Sequence, residues 1–195
     1  PLLEGGTQVM GVVEFWEQYL EKIPPRYVDQ SWLAKLDLRL RDPFSHKLKR
    51  LADLAFAFLG IVLSLPILLP ALAAIAINSG FPLFFTQRRT GFMGREYTLY
   101  KLRTMEKNAE AKGAEWAKEK DKRVTGCGKF LRKWRIDEIP QFLNVIRGEM
   151  SIVGPRPERP EFQDELIKQV PHWNCRHLVK PGLTGWAQIR YRYAA

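Results

Sequence analysis

This chain is short of cysteine, histidine and acid. Its two cysteines, Cys127 and Cys175, stand far apart with no C-x-x-C pairing. That excludes a disulfide scaffold and a cysteine-only zinc site, and it fits a reducing setting. Of three histidines, two fall with a cysteine in His172, Cys175 and His177. No further ligand pair lies at zinc spacing, so packing and surface roles account for them better. Walker A, G-x-G-x-x-G, H-E-x-x-H and G-x-S-x-G patterns are all missing, and with them the signatures of the common nucleotide-loop, zincin and hydrolase-elbow chemistries. There are no internal repeats. Acids number 21 against 31 lysines and arginines, for a net charge of +10. Such a balance calls for an anionic partner: nucleic acid, lipid headgroups or a phosphorylated substrate. No nucleic-acid-binding motif accompanies the charge, so nucleic acid is not expected as a partner.

What the chain has in abundance is one apolar run. Leu51 to Ile77 is nearly all Leu, Ile, Ala, Val and Phe, broken only by Asp53, Gly60, Ser64, Pro66 and Pro70. It exceeds the ~20 apolar residues that cross a bilayer's hydrocarbon core. Both flanks are basic (Lys47, Lys49 and Arg50 before; Arg88, Arg89, Arg95, Lys101 and Arg103 after), whereas a spanning helix carries its lysine and arginine bias on one side. Ser64 and Pro66 sit at the midpoint, where a missing N–H and a ring clash bend a helix. A spanning helix and a re-entrant one with both ends on the cytoplasmic face remain open on these grounds. Asp53 lies near the start of the run, and Arg50, three residues earlier, is expected to neutralise it. Basic residues beside such a segment suit anionic lipid.

Residues 8 to 22 suggest an amphipathic helix ended by Pro24-Pro25, and Arg26 to Pro43 reads as a docking linker. After Gly80 the composition becomes a basic, mixed α/β domain. Pro82–Thr86 and Tyr97–Leu102 read as strands around turns at Gly91 and Gly94. Residues 105 to 123 are helical by propensity and dense in charge, as a solvated helix or loop would be. Glu158 to Val170 reads as a helix, and Pro181 to Ile189 as a turn followed by a strand. The chemistry concentrates in Arg135–Pro157. Asp137 and Glu138 stand at a helix start that tolerates Pro140. Phe142, Leu143 and Ile146 supply an apolar face, and Gly148 stops the helix. Ser151–Val153 reads as a short buried strand, and Gly154-Pro155-Arg156-Pro157 as a rigid turn presenting one guanidinium. An acid pair facing a fixed arginine suggests phosphate chemistry, although a helix cap followed by a Pro-rich turn explains the same residues without any. Gln87, Arg89, Lys101, Arg103 and Arg156 are candidates for phosphate contacts by charge-assisted hydrogen bonds.

From about Lys47 to Gln188 the chain resembles the bacterial sugar transferases, monotopic polyprenol-phosphate phosphoglycosyltransferases. The resemblance rests on Lys49-Arg50-x-x-Asp53, Phe85-Thr86-Gln87-x-Arg89-x-Gly91, Lys101-Leu102-Arg103-Thr104-Met105, Asp137-Glu138-x-Pro140-Gln141, Asn144-Val145, Gly148-Glu149-Met150-Ser151, Val153-Gly154-Pro155-Arg156-Pro157 and Pro181 to Gln188, in that order. It implies a small helix-rich α/β catalytic domain over 80–195, a re-entrant membrane helix over 46–79 broken near Ser64 and Pro66, and a linker with an amphipathic helix over 1–45. It implies further that Asp137 attacks a UDP-sugar, releasing UMP, and that polyprenol phosphate then takes the phosphosugar, a step that initiates polysaccharide or glycoconjugate synthesis. Mg²⁺ is the implied cofactor, with Glu138 holding it, while Arg156, Gln87, Arg89, Lys101, Arg103 and Gln188 contact substrate. The implied setting is the cytoplasmic face of the bacterial inner membrane, with membrane lipid as a partner. A homo-oligomer is compatible with the sequence and not specified by it. The resemblance also leads us to expect more chain on both sides of the segment given. Two departures from the family pattern are Leu65, which separates Ser64 from Pro66, and Ile189-Arg190-Tyr191-Arg192 after Gln188. A rival from another class is a non-catalytic anchor whose basic domain recruits an anionic partner.

Overall fold

The computed structural model describes residues 10–20, 23–28, 43–109, 113 and 121–190. Most of the expected linker, the centre of the charged run after 109, and Arg192 lie outside them. Helix α1 spans Val12–Leu20, and the long helix α2 spans Pro43–Ser79. Strands β1 (Phe84–Thr90) and β2 (Glu96–Leu102) then form an antiparallel hairpin, Phe84 opposite Leu102 and Thr90 opposite Glu96. Helices α3 (Gly126–Lys133) and α4 (Gln141–Arg147) follow, then strand β3 (Ser151–Val153), helix α5 (Gln163–Gln169), strand β4 (Gly182–Thr184) and helix α6 (Trp186–Arg190). Strands β3 and β4 pair in parallel, separate from the hairpin. The result is the mixed, helix-rich α/β architecture that the composition after Gly80 suggests.

Helix α2 organises the rest. Its buried positions, Asp53, Ala57, Ser64, Ala71 and Ile75, are spaced four, seven, seven and four apart, which places them on one face. Ala57 enters one core with Tyr97, Leu99, Val145 and Met150. Ala71 and Ile75 enter a second with Leu102 and Leu131. The remaining circumference is apolar and exposed: Phe58, Leu63 and Leu69 are each about two-thirds accessible, a surface that water would not leave uncovered. A break at Ser64 and Pro66 was expected, yet the helix runs through both Pro66 and Pro70. Each proline removes one N–H, but the turns on either side keep their own hydrogen bonds. The Ser64 hydroxyl donates to the Ile61 carbonyl at 2.9 Å.

Both ends of α2 are tied to the domain that follows it. At the start, the Asp53 carboxylate accepts from Lys49 Nζ at 2.5 Å, Ser151 Oγ at 3.1 Å and the Ile152 amide at 3.0 Å. The expected partner, Arg50, instead donates to the Val145 and Ile146 carbonyls at 2.5 and 2.7 Å. Both carbonyls lie in the last turn of α4, where the Val145 carbonyl also accepts from the Gly148 amide at 3.0 Å, and a cation there suits the helix C-terminus. At the far end, Arg103 Nη2 donates to the Ser79 and Gly80 carbonyls at 2.7 and 2.5 Å.

Helix α4 also corrects an expectation. Leu143 and Ile146 are exposed, whereas Gln141, Asn144 and Val145 are buried. Asn144 explains the inversion: its Nδ2 donates to the Thr98 carbonyl at 2.7 Å and its Oδ1 accepts from the Tyr100 amide at 3.2 Å, which stitches the helix to strand β2. Gly148 ends α4 at φ +82, as its position predicts. Residues 186–190 are helical, where a strand was expected. The Gln188 and Ile189 amides both donate to the Gly185 carbonyl and wind the chain immediately after β4.

Candidate active site

Three segments converge on Glu138. The first is the hairpin. Residues paired across an antiparallel sheet share a face, so Phe85 and Lys101, Gln87 and Leu99, and Arg89 and Tyr97 all point to one side. That side places Gln87, Arg89 and Lys101 over the site. The strand ends at Leu102, and Arg103 is carried away to the end of α2. Its Nε and Nη1 are buried and find no hydrogen-bond partner among the described residues.

The second segment carries the acids. The Thr125 side chain caps α3 by accepting from the Gly128 amide at 3.0 Å. Gly128 lies so close to the Thr104 carbonyl that a Cβ would come within 2.1 Å of its oxygen. After α3, Arg135 adopts left-handed backbone angles (φ +55, ψ +23), and Ile136–Glu138 forms a single 3-10 turn. An arginine held in that region carries strain of about 1–3 kcal/mol. The reversal turns both acids inward, leaving Asp137 5 % and Glu138 7 % exposed.

The third segment is the turn after β3. It is fixed by glycines: a Cβ on Gly154 would lie 2.3 Å from the Lys180 carbonyl oxygen, and one on Gly182 would lie 2.1 Å from the Gly154 nitrogen. The Gly182 amide donates to the Pro155 carbonyl at 2.9 Å. Arg89 Nη1 holds the Pro157 carbonyl at 3.1 Å. Arg176 donates from Nη2 to the Arg156 carbonyl while its guanidinium lies 3.9 Å over the Trp173 ring.

Around Glu138 the cations close in. Lys101 Nζ is 3.0 Å from Oε1, Arg135 Nη1 is 3.3 Å from Oε2, and Arg156 Nη1 is 3.9 Å from Oε1. Burial works against the Glu138 charge, but Lys101, Arg156 and Arg135 together hold its carboxyl below the ordinary glutamate range. Asp137 goes the other way. Burial raises it, Lys101 opposes, and the neighbouring Glu138 charge adds to the rise. Asp137 Oδ1 is buried and has no hydrogen-bond partner among the described residues. The two neighbouring carboxyls are thus pushed in opposite directions. A cavity of about 10 Å³ between Arg89, Lys101, Glu138, Arg156 and Gln188 has room for about one water. A larger one of about 370 Å³ shares Glu138, Leu183 and Gln188 with it.

Glu138, Lys101 and Arg156 thus meet, and Asp137 stands beside Lys101 and Glu138. Arg89 joins them through the Pro157 carbonyl and the small cavity, and Gln87 is held at Arg89 Nη2 at 2.6 Å. Gln188 lines both cavities, and its Oε1 lacks a partner among the described residues. Two arginines escaped the sequence reading. Arg135 is only the first residue of the Arg135–Pro157 stretch, and Arg176 lies inside the segment of His172, Cys175 and His177. Of that cluster, His172 Nε2 lies 3.0 Å from the Val28 carbonyl oxygen and His177 Nε2 lies 3.4 Å from Gln163 Oε1, while Cys175 is a free thiol.

A family model described as bacterial sugar transferase matches residues 44–195. Among curated proteins, the chain is 43 % identical over 168 residues to the UDP-N-acetylgalactosamine-undecaprenyl-phosphate N-acetylgalactosaminephosphotransferase of Aeromonas hydrophila, covering 86 % of this chain and 40 % of that protein. It is 40 % identical over 148 residues to a putative undecaprenyl-phosphate N-acetylgalactosaminyl 1-phosphate transferase of Bacillus subtilis, covering 76 % of this chain and 79 % of the relative. With the UDP-glucose:undecaprenyl-phosphate glucose-1-phosphate transferase of Escherichia coli K12 it shares 41 % over 142 residues, which is 73 % of this chain and 31 % of the relative. The match to the family model takes in α2, the hairpin, both acids and the arginine turn in one unbroken stretch, and the chain belongs to the bacterial sugar transferase family.

Proposed function

We propose that this chain is the catalytic part of a membrane-bound enzyme that moves a sugar 1-phosphate from a UDP-sugar to polyprenol phosphate on the cytoplasmic face of the membrane. The observation that carries the reading is the pair Asp137 and Glu138. One buried carboxylate has an oxygen without a hydrogen-bond partner among the described residues. The other is surrounded by three cations of the kind that bind phosphate. In the first step Asp137 Oδ1 attacks the β-phosphorus of the donor. An O–P bond forms, the bond from that phosphorus to the bridging oxygen breaks, and UMP leaves. In the second, an oxygen of polyprenol phosphate attacks the same phosphorus. The aspartyl O–P bond then breaks, regenerating the carboxylate and releasing a polyprenol-diphosphate sugar. Covalent catalysis of this kind splits one transfer between two bulky substrates into two displacements at one phosphorus. Lys101, Arg89 and Arg156 receive the charge of the phosphates.

The residues present fit Mg²⁺. A buried carboxylate matches an ion that takes one or two carboxylates and completes its shell with substrate phosphate and water. Glu138 would hold it, leaving Asp137 Oδ1 for the attack, and when bound it supplies charge neutralisation between the acids and the diphosphate.

The ties at both ends of α2 support a monotopic, re-entrant seat. From Asp53 to Ser79 a straight helix would run about 39 Å, longer than the ~30 Å hydrocarbon core. Both ends nevertheless bond to the same following domain. With Cys127 and Cys175 replaced by serine, cysteines placed at 46 and 80 are expected to react with an impermeant reagent from the same side. Labelling from opposite sides would make α2 an ordinary span. For the chemistry, Asp137→Asn should lose UMP release from the productive UDP-sugar and lose the phosphosugar adduct seen by mass spectrometry, with membrane binding intact. Release by the variant at the parent's rate would remove Asp137 as nucleophile.

A further inference from the structure

The larger cavity beside Glu138 has a two-part character that the reaction leaves unassigned. Its volume is about 370 Å³, and Ile139, Phe142, Leu183 and Ile189 form its apolar wall. At one end stand Glu138 and Arg135, with Arg156 and Lys101 behind them. The wall leads to the membrane helix. Phe142 is wedged against α2 so closely that a Cβ on Gly60 would fall 2.5 Å from Phe142 Cζ. Ile189 is 69 % exposed, and its helix neighbour Trp186 is 73 % exposed. An aromatic beside a water-exposed apolar opening suits the boundary of a bilayer. Charge at one end, hydrocarbon along the side and continuity with α2 describe the complement of an amphiphile with a phosphate head.

We propose that this chamber seats the first isoprene units of the polyprenyl phosphate acceptor, with its phosphate at the Glu138 end. The proposal rests on the acceptor named above, and it adds which wall the lipid lies on. The base of the donor is the poorer occupant. Recognition of a uracil edge needs placed donors and acceptors; the Gln188 amide nitrogen is already directed to the Leu183 carbonyl at 3.2 Å, which leaves Gln188 Oε1 and Thr184 as the polar groups away from the charged end of a wall that is otherwise apolar. That assignment leaves the donor to approach from the hairpin side, past Gln87 and Arg89.

The test uses the protein in lipid nanodiscs and has two arms. In the first, a short prenyl phosphate carrying a diazirine on its first isoprene is photolysed with the protein, and the adducts are mapped by mass spectrometry. Adducts at residues 139, 142, 183 or 189, competed away by unlabelled polyprenyl phosphate, are expected. Adducts confined to other positions would overturn the assignment. This arm needs no turnover, so it decides the chamber even if no UDP-sugar yields UMP, a result that would defeat the reaction reading instead. In the second arm, Ile189→Trp fills the chamber from an exposed position that folding tolerates. It should raise the KM for polyprenyl phosphate by about tenfold while single-turnover UMP release stays within about twofold. A rise in donor KM with the acceptor KM unchanged would assign the chamber to the nucleotide, and no change in either would show that it holds neither substrate.

Discussion

Replacing Asp53 by alanine tests whether the start of α2 is held by this one carboxylate. The side chain is 6 % exposed and accepts three hydrogen bonds, from Lys49, Ser151 and the Ile152 amide. Breaking a fully buried ion pair costs about 3–5 kcal/mol, but Lys49 is 48 % exposed and would rehydrate. Ser151 Oγ also keeps an acceptor in the Val153 carbonyl at 3.0 Å. What remains is chiefly the part-buried Ile152 amide left without a partner, together with the lost charge-assisted bonds, about 2–3 kcal/mol in all. For a chain of this size that lowers the melting temperature by about 4–12 °C. Asp53→Asn keeps an oxygen for Ser151 and Ile152, so its cost should be nearer 1 kcal/mol. Thermal melts of the purified protein in one detergent, read beside limited proteolysis of α2, measure both. A melting point for Asp53→Ala within about 1 °C of the parent, or a larger loss from Asp53→Asn than from Asp53→Ala, would refute the reasoning.

The other predictions concern the site. Arg176 grips the carbonyl of Arg156 and never reaches the reacting atoms, so Arg176→Ala should cut the rate of UMP release by about tenfold with little change in melting; Arg176→Lys should recover only part of it, lacking the planar fork that stacks on Trp173, and an unaltered rate would dismiss the role. Asp137 must be ionised to attack and burial raises its pKa, so kcat/KM should fall on acidification through a pKa above the ordinary aspartate value of about 3.9; a limb at or below that value would contradict the buried setting. The linkage has a definite sign. A carboxyl raised in the folded state favours folding when protonated, and that contribution is lost as pH rises through the folded pKa. At neutral pH Asp137→Asn should therefore stabilise the protein, by about 0.5–2 kcal/mol, even as it abolishes transfer. A lower melting temperature would reverse that inference.

The hairpin was legible because period-two patterning and the glycines at 91 and 94 are local signals, and so was the stop at Gly148. The acid pair and the arginine turn stood out by residue type alone. What resisted reading was governed by partners far along the chain. Leu143 and Ile146 look like an inward face until Asn144 is seen bonding the backbone of β2 at Thr98 and Tyr100. Lys101-x-Arg103 looks like two cations on one face, but the strand stops at Leu102 and Arg103 caps a helix 23 and 24 residues earlier. Arg50 is well spaced to meet Asp53 but finds the carbonyls at the end of α4 instead, 95 and 96 residues on. Arg176 carries no local mark of its role, since the carbonyl that it grips lies 20 residues back.

The two ties of α2 differ greatly in sequence separation. The Ser79 end is closed by Arg103, 24 residues later, whereas the Asp53 end waits for Ser151 and Ile152, 98 and 99 residues later. At synthesis rates of about 5–20 residues per second, roughly 5–20 s separate emergence of Asp53 from that of its partners. During biosynthesis one end of the hydrophobic helix is fastened early while the other stays untethered. The carboxylate of Asp53 therefore acts as a late latch, and the turn carrying Arg156, which follows its partners by only a few residues, is completed in the same closing event.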